Sequence, residues 1–61
     1  MDARRYDRNA DLISQIMFHI EKLHVKPNSI EANLREEMVA ALHRALLAND
    51  MLGKLTEKGL I

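Results

Sequence analysis

A chain of 61 residues holds at most one domain, and at that length folding hides only about 60% of the unfolded surface. The sequence has no cysteine, which excludes disulfides and thiolate zinc sites, and nine Lys plus Arg balance nine Asp plus Glu, without the basic excess of a dedicated nucleic-acid binder. No apolar run approaches the roughly 20 residues that cross a bilayer, and no apolar stretch follows the start "MDARRYDR" as a signal peptide would require. The expected setting is therefore the cytoplasm, and the route to stability that composition leaves open is self-association or a protein partner.

Residues 1–7 are expected to be flexible, with helix 1 following over 8–24. Within it Ile13, Ile16, Ile20 and Leu23 recur at three- and four-residue steps, the spacing of a heptad seam, with Leu12 and Met17 flanking it. The "HVKPNS" stretch, residues 24–29, interrupts the pattern. Pro27 disfavours helical geometry in the residue before it, so a turn is expected over 25–29, with Asn28 or Ser29 capping the next helix. Helix 2 is expected over 30–58, with one long helix, straight or bent near 49–53 where Asn49 and Gly53 weaken it, favoured over a short separate helix at 50–58. Gly59 fits the left-handed residue that closes a helix in a Schellman ending, and Lys54 and Lys58 suit the negative end of its dipole.

The fold class expected is all-α, a helical hairpin that pairs into a dimeric four-helix bundle. Helix 2 carries Leu34, Met38, Ala41, Leu42, Ala45 and Leu46, more apolar surface than a single neighbouring helix can cover. Together with Ile13, Ile16, Ile20 and Leu23 these are the expected core and dimer residues. Leu47, Met51, Leu52 and Leu55 are the expected docking residues for a further protein, since Leu47 and Met51 fall on another side of the helix.

Little points to chemistry. Ser14 and Ser29 lie in no nucleophile motif, and Gly53 and Gly59 are too far apart for a phosphate loop, so no catalytic residues and no cofactor are expected and the chain is read as a non-enzyme. Glu21 and His24 have the i, i+3 spacing of a di-metal helix, with Glu36 or Glu37 as further carboxylates. With Ile20 and Leu23 on the seam, however, Glu21 points outward and His24 falls where the helix ends, so no metal site is assigned.

Two resemblances bear on nucleic acid. The closing run "MLGKLTEKGLI" is similar to the end of the recognition helix in winged helix-turn-helix repressors. The stretch before it lacks the short turn that joins the two helices of that motif, and a helix ending explains the run by itself. Residues 14–23, "SQIMFHIEKL", resemble the first helix of the family of the plasmid RNA-binding hairpin protein Rop, as do the chain length and the central turn. That resemblance implies a hairpin whose first helix contacts RNA, with Gln15 and Lys22 on the contacting face. Asp11 stands where the family carries an RNA-contacting Phe, and Asp7 where it carries Asn. The residues themselves offer Arg8, Gln15, Phe18 and Lys22 as a basic and aromatic side of helix 1. The expected function is thus a small regulatory or adaptor protein that acts through protein–protein contacts as a helical homodimer. A dimeric RNA- or DNA-binding regulator is the alternative.

Overall fold

A computed structural model describes residues 4–60, and among them there are two helices and no strand. Helix α1 runs Arg4–Glu21 and helix α2 runs Ile30–Glu57, packed as an antiparallel hairpin. The expected boundaries shift at α1. Residues 4–7, expected to be flexible, form its first turn, while residues 1–3 lie outside the described residues. The helix also stops at Glu21 rather than at residue 24. At its start α1 packs along α2 far enough for Tyr6 to meet Gly53, which gives the first turn a neighbour.

The crossing runs from Lys22 to Ser29. The Arg35 guanidinium donates to the Leu23 carbonyl at 3.0 Å, which satisfies one of the carbonyls left open beyond the end of α1. Asn28 takes the left-handed conformation, φ 59°, and Ser29 becomes the N-cap. Its hydroxyl accepts from the Ala32 N–H at 3.1 Å and donates to the Lys26 carbonyl at 2.6 Å, tying the turn to the helix start.

Helix α2 is uninterrupted through Asn49 and Gly53, so residues 50–58 form no separate helix. It ends as expected. Gly59 has φ 73°, its N–H donates to the Thr56 carbonyl at 3.1 Å, and the Leu60 N–H donates to the Leu55 carbonyl at 3.0 Å. These are the paired bonds of the Schellman motif.

The result is a plate, 46 × 15 × 9 Å across its Cα atoms, with a radius of gyration of 14.6 Å. A compact chain of this length would have a radius near 10.5 Å. No large side chain is fully buried, and Met17, Ala32 and Asn49 are the buried residues among those described.

Two substitutions separate the local devices. A Cβ at Gly53 would meet Tyr6 Cβ at 3.5 Å, an ordinary contact, so Gly53→Ala should raise stability by about 0.5–1 kcal/mol through helix propensity. Ser29→Ala should lower it by about 1 kcal/mol, through loss of the cap. Thermal melts followed by circular dichroism at 222 nm check both signs.

Candidate interaction surface

The buried line between the helices follows the heptad on each. On α1 it is Tyr6, Ala10, Ile13, Met17 and Ile20. On α2 it is Ala32, Arg35, Val39, Leu42, Leu46, Asn49, Gly53 and Thr56, an unbroken alternation of three- and four-residue steps. These positions are buried or half-buried, while most of their helix neighbours are exposed.

Of the expected core and dimer residues, Ile13, Ile20, Leu42 and Leu46 line the seam within the hairpin, and Ile16, Leu23, Leu34, Met38, Ala41 and Ala45 stand exposed on it. Ile16 keeps 49% of its surface and Leu23 52%. Met17, expected beside the seam, is in it and only 8% exposed. The run Ile13, Ile16, Ile20, Leu23 zigzags between two adjacent stripes, of which the hairpin covers one.

The second stripe forms one face of the plate. Helix α1 contributes Asn9, Leu12, Ile16, His19 and Leu23; helix α2 contributes Leu34, Met38, Ala41, Ala45, Ala48 and Leu52. Both sets keep heptad spacing, one position round from the seam. In an antiparallel pair the corresponding flanks of the two helices lie on the same side, and Asn9, Leu12 and Ile16 do share a groove of about 420 Å³ with Ala45, Ala48 and Leu52. Between Asn9 and Leu23 on α1 and between Leu34 and Leu52 on α2 the series hold no Asp, Glu, Lys or Arg; Arg5 and Glu31 continue them at the ends.

The opposite face is polar. Asp7 of α1 lines a groove of about 560 Å³ with Leu47, Asp50, Lys54 and Glu57 of α2, and Lys54 pairs with Asp50 at 3.1 Å on the surface. Of the four expected docking residues, Leu47, Met51 and Leu55 follow one another at four-residue steps along α2. Leu47 borders the polar groove, Met51 points outward at 63% exposure, Leu52 belongs to the apolar face, and Leu55 is half-buried.

Between the two faces sits a polar residue that sequence periodicity missed. Asn49 occupies a seam position and is 8% exposed. Its amide donates to the Tyr6 carbonyl at 2.7 Å and its carbonyl accepts from Asn9 at 3.4 Å. Every polar atom it buries has a partner. Such a residue at a seam position fixes the register of the helices at some expense of stability. Beside it, the Tyr6 phenol lies below its usual value of 10.0, chiefly because the Arg5 guanidinium donates to its oxygen at 2.9 Å and secondly through a hydrogen bond with Thr56.

The residues expected for nucleic acid are all exposed. Arg8, Gln15 and Lys22 fall seven apart along the outer side of α1, with Phe18 adjacent. The Lys22 ammonium stands 4.0 Å from the Phe18 ring centroid, so the pair forms a cation–π contact and one face of the only phenylalanine is covered. Glu21 ends α1 and His24 lies in the crossing, both exposed, and no group of three or more His, Asp or Glu among the described residues is placed to hold a metal. No helix among the described residues is long and apolar enough to cross a membrane.

No protein-family model, curated protein or solved structure matches the chain.

Replacing Asn49 with Leu removes the buried polar constraint on helix register while filling the same space. The variant should melt at a higher temperature and show more than one set of amide resonances in a ¹H–¹⁵N spectrum, as alternative registers become populated. A single set would show that register is held elsewhere.

Proposed function

We propose that this protein is a small, non-enzymatic regulator or adaptor of the cytoplasm that works as a helical homodimer through protein–protein contacts. The observation that carries this reading is the apolar face of the hairpin. Leu12, Ile16 and Leu23 on one helix and Leu34, Met38 and Leu52 on the other are each between 42% and 53% exposed. Burying one such side chain contributes about 1.5–3 kcal/mol, so six half-exposed together are a large unspent driving force in a chain with almost no core.

The surface area supports the same reading. The chain exposes 5121 Å², whereas a compact monomer of 7.0 kDa exposes about 4,000 Å². The excess, about 1,100 Å², is of the size that each partner contributes to a stable protein–protein interface, typically about 800 Å². A dimer formed through this face is a four-helix bundle with the polar faces outward, left free to meet other proteins.

A second reading, a nucleic-acid regulator, draws on the exposed line Arg8, Gln15 and Lys22. Asp7 and Asp11 lie on the same helix and repel phosphates, and Lys22 already shields a face of Phe18. This reading is the weaker of the two.

Light scattering after size exclusion, at low and high salt with absorbance read at 260 and 280 nm, separates them. The homodimer reading expects twice the chain mass, no excess at 260 nm, and a melting temperature that rises with protein concentration. Ile16→Asp, on the open face, should abolish the dimer and lower helix content at micromolar concentration. A monomer with concentration-independent melting overturns the reading, and a 260 nm signal released by salt promotes the second.

A further inference from the structure

The homodimer reading leaves one question that the open face itself addresses: how the second copy lies on it. Two flat hairpins meeting through the same face are related by a two-fold axis in the plane between them. If that axis runs across the helices, each helix lies on its own counterpart and the two turns sit at opposite ends. If it runs along the helices, α1 lies on the α2 of the other copy and the two turns sit side by side.

Side-chain size distinguishes these cases. On α1 the middle of the face is bulky, Leu12 and Ile16; level with them on α2 it is small, Ala45 and Ala48, and all four border one groove. Helices that pack through alanine approach to about 8 Å, and those that pack through leucine or isoleucine stand nearer 10 Å. In the middle of the face counterpart pairing sets Leu12 and Ile16 against their own copies and the alanines against alanines, so the plates wedge apart on the α1 side there. Crossed pairing sets Leu12 and Ile16 over Ala45 and Ala48 in that middle stretch, which fills it at the density of a protein interior, while Leu23 meets Leu34 and Met38 at the turn end. His19 falls on the same face, level with the Ala41 end of the alanine series, which gives its ring room in the crossed arrangement.

We propose that a second copy of this chain covers the open face with its α2 over α1, turn beside turn. The proposal rests on the homodimer reading and on the surface excess of the hairpin, and it adds the orientation of the partner.

The test uses the absence of cysteine from the chain. Lys26→Cys gives a single, exposed attachment point in the crossing, off both helices. A nitroxide placed there reports one distance across the dimer by pulsed dipolar spectroscopy, with mass measured on the same sample. Turn beside turn expects labels within about 30 Å, since the stacked helices are about 10 Å apart. Turns at opposite ends of a plate 46 Å long would separate the labels by most of that length, and such a distance from a sample of dimer mass overturns the orientation while leaving the homodimer intact. A monomeric mass without dipolar coupling overturns both.

Discussion

A pair of packed helices hides one stripe of each from water, and whatever apolar surface lies beyond that stripe stays wet until something else covers it. In this hairpin the hidden stripe is itself modest. It includes Ala10, Ala32, Arg35, Asn49, Gly53 and Thr56, so only Tyr6, Ile13, Met17, Ile20, Val39, Leu42 and Leu46 bring large apolar groups to it. As many long aliphatic side chains, Leu12, Ile16, Leu23, Leu34, Met38 and Leu52, stand one heptad position round, on the open face. That distribution explains the thin shape, the surface excess and the proposal of a second layer with one argument. The chain is arranged to be completed from outside.

Much of the architecture was legible because it is written in local chemistry. Ser29, three residues before the Ala32 N–H it caps, and Gly59, where a left-handed residue is required, mark the limits of α2 without reference to anything distant. The continuity of α2 through Asn49 and Gly53 was the favoured expectation, and it held because packing against Tyr6 outweighs the weak propensity of those two residues. The start of α1 at Arg4 was not legible, since it depends on how far α2 extends on the other side of the hairpin.

The stripe buried within the hairpin takes in only part of the expected core and dimer set, for a definite reason. Two apolar stripes lie side by side on each helix, and Ile13, Ile16, Ile20 and Leu23 alternate between them, so the most apolar route through the sequence is not the route taken in space. The true seam on α2 has the more regular spacing but the poorer composition, with Arg35 and Asn49 at core positions. A search by spacing alone would find it; a search weighted by hydrophobicity does not. Arg35 belongs there because its long stem lies against the seam while its guanidinium reaches the Leu23 carbonyl, and Asn49 because its amide is met on both sides. The two faces of the plate differ in turn because one flank of the heptad carries charge only at its ends, Arg5 and Glu31, and the other holds Asp7, Asp50, Lys54 and Glu57. That asymmetry favours stacking on one side and solvation on the other, which limits the proposed assembly to two layers rather than an open stack.

The placement of the methionines has a consequence in the chemistry of ageing. Met17 is enclosed by the seam, Met51 stands in solvent on the outer side of α2, and Met38 lies between, half exposed on the apolar face. Oxidants convert the thioether to a polar sulfoxide in order of access. Among the described methionines Met51 is therefore oxidised first, with little structural effect. Met38 follows, and a sulfoxide there wets the face through which the proposed dimer forms, so oxidative damage would reach the assembly before it reached the fold.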